Sequence, residues 1–300
     1  MRGITLALVL GGLLAIGFAN TAYSAPRSKL IEFWDDREES SSLKMDYSAW
    51  NELLAKYLVL ADSPDINRFD YDAMTDGDRA RLAGFLSYME STEPRQMNSL
   101  EQKAYWLNLF NACLIKYLIE AEPKRSVREL GGRLWRRDMA YISMQDVSLD
   151  NIEHGILRPI YNDPRVHFSL VAGTIGSGEL SPIAFTADNV EQLLEENTRK
   201  FINHPRGVKI EGNKIIVSQI FRWYRADFGG NTQGVREFIL RYLDEEKKAA
   251  FENIKSLDYE YSWRLNKVLE KTTSEQDASS TEDSEPSSNT SQPRGPRRNR

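Results

Sequence analysis

The stretch from Ala104 to Leu118 constrains this chain most, because it is its longest apolar helical pattern. Ala104, Leu107, Phe110, Leu114, Tyr117 and Leu118 recur at helical spacing, and Pro123 stops the run. Ser99 and Gln102 form a capping-box pattern ahead of it. Such a helix needs a large apolar partner surface, and the rest of the chain can supply one. The chain has 300 residues, of which 41% are hydrophobic and 28% charged. That is the composition of a globular protein with one large domain or two small ones. The net charge of -5 makes nucleic acid a poor partner for the body.

Further helices are expected over Tyr47–Leu58, with Asp46 as N-cap, over Leu82–Met89, and from about Ser148 to Leu157, ended by Pro159. Then the period changes. Val166, Phe168 and Leu170 alternate with His167, Ser169 and Val171, which predicts a central strand. A loop carrying Gly173, Gly176 and Gly178 follows. Asp188 and Glu191 cap a helix that buries Leu193, Leu194 and Phe201. Val208–Ile210 and Ile215–Val217 predict a β-hairpin around Glu211-Gly212-Asn213. Phe221–Phe228 and Val235–Leu243 read as helices divided by Gly229-Gly230. The fold class is α+β, a mostly helical single domain with a small β-sheet over residues 25–270.

The two ends have different characters. Arg2, the apolar run Ile4–Phe18 and the small residues around Ala22-Tyr23-Ser24 predict a signal peptide over residues 1–24, cleaved after Ser24. The run is about 15 residues, short of the ~20 that a membrane span needs. No cysteine follows it, so a lipoprotein anchor is excluded. The expected location is periplasmic or secreted, with no span in the mature chain. Residues 271–300 are Ser/Glu/Pro-rich with a basic tip (Arg294, Arg297, Arg298, Arg300) and read as a disordered tail. The tail is either a solvated end or a weak contact for an anionic surface.

Chemistry-bearing residues are few. The single cysteine, Cys113, excludes an intramolecular disulfide framework, and its mid-helix place among Phe110, Leu114 and Tyr117 predicts an inert buried thiol. His154, His167 and His204 leave little for a His-based metal site, and no metal or cofactor is expected. Asp150, His154 and Arg158 share one helix face, with Glu153 on the next stripe. They form either a general base with its carboxylate or a surface charge ladder. His167 on its strand shares a face with Ser169 and Val171, beside the Gly-rich loop. It is an active-site candidate or a structural histidine. The loop offers Thr174 and Ser177 as an anion cradle or a nucleophile. It is neither a P-loop nor a G-x-S-x-G elbow. Phe221, Trp223, Tyr224 and Phe228 read as core, with Arg225 and Asp227 as a structural pair.

Four phrases then converge: A-Y-W-L-N-L-F-N-A (Ala104–Ala112), S-L-D-N-I-E-H-G-I-L-R (Ser148–Arg158), D-P-R-V-H-F-S-L-V (Asp163–Val171) and S-Q-I-F-R-W-Y-R-A-D-F (Ser218–Phe228). Together with N-R-F-D-Y (Asn67–Tyr71) they resemble the domain of unknown function 547 family over about Tyr47–Tyr242. The resemblance maps the family's motif residues onto Trp106, Asn108, Asn111, Glu153, His154, Arg158, Arg165, His167, Phe168, Trp223, Tyr224, Asp227 and Phe228. Family members often carry cysteines in the Gly-rich loop, which implies, loosely, papain-like or transglutaminase-like chemistry and fold. Here Ala172 and Ser177 stand at those cysteine positions, and Gly178 stands where the family has proline.

A thiol mechanism at the loop is therefore absent. Three readings remain: a binding protein for a small polar or peptide-like ligand, a hydrolase or acyltransferase with Ser177 attacking, and a structural envelope protein. The expected site has Glu153, His154, His167 and Ser177 at its centre and Asn108, Asn111, Arg158, Arg165 and Thr174 as ligand contacts.

Overall fold

The computed structural model describes residues 25–61 and 65–268. The expected signal peptide and the tail lie outside them. The described elements are helices α1 (Ser48–Tyr57), α2 (Asp76–Glu90), α3 (Ser99–Ala121), α4 (Arg158–Tyr161), α5 (Val190–Asn203), α6 (Ile220–Trp223), α7 (Thr232–Tyr242) and α8 (Glu245–Asn253). The strands are β1 (Leu58–Val59), β2 (Arg68–Phe69), β3 (Asp138–Ile142), β4 (Gln145–Ser148), β5 (Val208–Glu211), β6 (Lys214–Ser218) and β7 (Leu257–Glu260). With about 49% helix and sheets of two or three strands, the protein is α+β and mostly helical.

Helix α3 is the organising element. Asn98, not Ser99, is its N-cap, its side chain accepting from the Glu101 amide. Every residue from Glu101 to Ile115 is buried. A one-sided stripe would need only one partner face, but this helix is enclosed. Its polar members are therefore paired inward. Glu101 accepts from the Met45 and Ala187 amides. Asn108 grips the backbone of Phe185 through both ends of its amide, at 2.7 and 3.0 Å. Asn111 does the same to Ser169 O and Val171 N, at 3.0 Å each.

A second cluster joins Phe168 to Phe201, Val208, Val217, Phe221, Phe228 and Phe238. It packs α5, α6 and α7 against the β5–β6 hairpin, which follows the expected pairing from Val208↔Val217 to Glu211↔Lys214. Strand β7 adds in parallel beside β6, with Val217 opposite Tyr259. Among the described residues, no helix is long and apolar enough to cross a membrane.

Three local readings of the sequence are corrected. Pro164–Phe168 is a 3-10 helix, not a strand. Pro164 fixes the first helical φ, and the Asp163 side chain caps the Arg165 amide. A short run buried on all sides carries no period that separates strand from helix, which is why the alternation misled. Residues 221–228 hold only the end of the short α6, which leaves helical geometry at Tyr224 (φ -102°, ψ 25°), and then turns that run to Gly229 and Gly230, with φ of 85° and 79°. Finally, Ser148 closes β4, and the expected helix becomes a π-helix over Asn151–Leu157 that runs on into α4.

Candidate functional site

The π-helix has an identifiable cause. Pro159 has no N–H, so one carbonyl of the preceding turn, that of Gly155 or His154, lacks a helical donor. Both are satisfied from outside. Lys29 N donates to His154 O at 2.9 Å, and Ile31 N donates to Gly155 O at 3.0 Å. The segment Pro26–Ile31 thus straps the helix at the level of His154. A Cβ on Gly155 would stand 2.4 Å from Ile31 Cδ1, so a larger residue there would push the Ile31 side chain aside.

Above the strap lies a pocket enclosing about 650 Å³ when the open solvent at its mouth is included. Asp150, Glu153, His154, His167, Ala172, Ser177, Trp223 and Tyr224 contribute to its lining. Pro26, Phe110, Trp135, Tyr261 and Trp263 close its sides. The π-helix, the 3-10 helix, the Gly-rich loop and α6 therefore converge on one cavity. Ala172 and Ser177, at the two ends of the Gly-rich loop, both contribute to it.

The two histidines have opposite settings. His167 is fully buried and lies between two carboxylates, with Nε2 2.8 Å from Asp227 Oδ2. Its Nδ1 is 3.2 Å from Glu153 Oε1, within ion-pair distance but outside hydrogen-bond geometry. Burial disfavours the imidazolium, but the two carboxylates outweigh it and raise the pKa of His167. The Tyr224 ring stacks on it with centroids 3.9 Å apart. His154, in contrast, is pushed down, first by burial and also by Arg158, despite the nearby Glu153 and Asp150.

Arg158 fixes the His154 tautomer. Its Nη1 lies 3.1 Å from His154 Nδ1, and a guanidinium can only donate. Nδ1 is then the acceptor, and the neutral ring carries its proton on Nε2. Nε2 lies 3.8 Å from Asp150 Oδ1 and 3.9 Å from Glu153 Oε2. The neutral ring is therefore set as a hydrogen-bond donor, not as a base. Arg158 also holds Asp227 bidentately, at 2.6 and 2.9 Å, and donates to Pro26 O at 2.8 Å. So Asp227 belongs with Arg158 and His167, not with Arg225 as the sequence suggested.

Charge ties the site to stability. Burial alone would raise Glu153, but the His154 and His167 rings and the Tyr224 hydroxyl around it hold it at about 2. Its contribution to the folded state is complete above the ordinary value of 4.5 and is lost as pH falls from there through about 2. Asp227, held low against burial by His167 and Arg158, acts in the same direction. The raised His167 contributes fully below its ordinary 6.5, and that part is lost as pH rises through its folded value. Urea midpoints should therefore fall steeply between pH 4.5 and 2, and less steeply in Glu153→Gln. An unchanged acid limb in that variant would separate Glu153 from the effect.

The remaining candidates are placed as follows. Ser177 is buried in the pocket wall, and its Oγ lies 2.9 and 3.0 Å from the carbonyls of Thr174 and Gly178. No hydrogen bond joins it to either histidine. The Thr174 hydroxyl pairs with the Tyr261 hydroxyl at 2.7 Å. Asn108 and Asn111 clamp backbone, as described above. Arg165 pairs with Asp163 and Glu191, away from the pocket lining. Cys113 is buried, and burial pushes its thiol up to about 12. Among the described residues, no group of three or more His, Cys, Asp and Glu side chains is arranged to hold a metal ion.

Sequence reasoning missed the strap and the aromatic wall after β7. Trp223, Tyr261 and Trp263 pack with centroids 4.8 to 5.6 Å apart. The alternating aromatics of L-D-Y-E-Y-S-W (Leu257–Trp263) were the available signal. No curated protein and no solved structure matches the chain. The model of the family described as "Protein of unknown function, DUF547" matches residues 94–202, the segment that supplies α3, the π-helix, the 3-10 helix and the Gly-rich loop.

Proposed function

We propose that this protein is exported and binds a small polar or peptide-like ligand in the pocket between the π-helix and the Gly-rich loop. One observation carries the reading: the two histidines and the serine that could do acyl-transfer chemistry there are already turned to other tasks. His167 lies between Glu153 and Asp227, which favour its charged form, and in that form it has no lone pair to accept a proton. His154 offers Nε2–H while Arg158 occupies Nδ1. Ser177 donates to backbone carbonyls, with no base beside it. What remains is a preset array of donors and acceptors inside aromatic walls, the chemistry of recognition.

Two measurements on the purified protein test this. A fluorophosphonate probe should leave Ser177 unlabelled, and a panel of polar metabolites and short peptides should include compounds that raise the melting temperature. Stoichiometric labelling of Ser177, lost in Ser177→Ala, would establish the serine hydrolase instead. A panel without any stabilising compound, together with no labelling, would favour a structural role.

A further inference from the structure

We propose that the pocket selects an organic ammonium cation, with Asp150 as its counter-ion and the rings of Trp223, Tyr261 and Trp263 as its wall. This rests on the binding reading above and adds the charge of the ligand to it.

The first observation is a mismatch of charge. No Lys or Arg lines the pocket. The charged groups that do are Asp150, Glu153 and the His167 imidazolium. Glu153 is matched by His167, and behind them Asp227 is matched by Arg158. Among the described residues no Lys or Arg forms an ion pair with Asp150: His154 Nε2 stands 3.8 Å away, and Arg136 acts on it only as the weakest of the charges around it. Its side chain keeps 25% exposure, towards the cavity that it lines. Burial raises its pKa, which is the state of a carboxylate short of a cation. An anionic ligand would meet this carboxylate with nothing to offset it.

The second observation is the wall. Aromatic faces carry negative electrostatic potential and attract cations, most strongly where water is excluded. The Trp223, Tyr261 and Trp263 rings pack as one surface, and Trp135 and Phe110 extend the aromatic lining. The outer side of this surface already holds a cation: Arg128, which does not line the pocket, sits 4.4 Å from the centroid of Trp263. A substituted ammonium fits both features, methylene or methyl groups against the rings and charge beside Asp150.

Isothermal titration at pH 7 with two matched pairs tests this. One pair is choline and its neutral isostere 3,3-dimethylbutan-1-ol; the other is benzylammonium and benzyl alcohol. At least one cation should bind about tenfold or more tightly than its neutral partner, and Asp150→Asn should shrink the ratio to about threefold or less. The Asp150 side chain makes no helix-capping hydrogen bond, so the variant should fold, and its melting curve checks that it does. Equal affinities within both pairs would overturn the cation inference and leave the binding reading intact. So would a preference that survives in Asp150→Asn, or no saturation by either cation up to about 20 mM. The wild-type comparison decides even if the variant is unstable, and the metabolite panel tests the binding reading separately.

Discussion

Arg158→Leu should destabilise the protein by about 3–5 kcal/mol, the cost of leaving a buried ion pair with one partner. The Arg158 side chain is 4% exposed and serves three acceptors at once. The Asp227 carboxylate would keep only His167, while Pro26 O and His154 Nδ1 would lose their donor. Arg158→Lys should recover less than half of the loss, because an ammonium cannot reproduce the two-pronged contact with Asp227. Urea denaturation at pH 7 measures both. A loss below about 1 kcal/mol for Arg158→Leu would show that the cluster is not held together by this residue.

Asn111→Ala should cost about 2–6 kcal/mol, because two buried backbone groups lose their partners at roughly 1–3 kcal/mol each. The side chain links α3 to Ser169 O and Val171 N, and it fixes the exit of the 3-10 helix where the pocket wall begins. The same variant should weaken ligand-induced stabilisation, since Leu170, Val171 and Ala172 all line the pocket. Asn108→Ala has a comparable clamp on Phe185 but stands outside the lining, so it should affect stability and spare binding. Identical binding losses in the two variants would contradict this division.

Much of this arrangement was legible in the residues. The α3 pattern announced a core helix, and the spacing of Asp150, His154 and Arg158 placed them on one face before any coordinates. The short connection between Pro159 and Pro164 brought His167 back towards His154, and both now line one pocket. What stayed hidden depended on long-range or backbone contacts. Asp227 lies next to Arg225 in sequence, yet its partner Arg158 is 69 residues away. The strap Pro26–Ile31 acts through main-chain N–H groups, which leave no side-chain pattern to read. The motif asparagines looked like ligand contacts because polar residues on an apolar helix suggest function. Total burial gave them a different duty, as clamps on irregular chain.

The helix at His154 shows how one residue links these levels. Pro159 was read as a stop, and in a regular α-helix it would be one. Here the proline follows a π-helical turn, and the His154 and Gly155 carbonyls become the docking points of the strap. That widened turn presents Asp150, Glu153 and His154 to the same cavity. The local departure from regular geometry therefore coincides with the densest set of titratable groups, as π-bulges often do at functional sites.

The central claim is that the pocket holds its two histidines in opposite, fixed protonation states. Long-range ¹H–¹⁵N spectra of the imidazole rings at pH 7 test it most directly, with His154→Gln and His167→Gln used for assignment. The account predicts both ring nitrogens of His167 protonated, and His154 neutral with its proton on Nε2. A stabilising ligand should perturb both sets of signals, because both rings line one cavity. A neutral His167, a His154 protonated on Nδ1, or two rings that ignore every stabilising ligand would contradict the account.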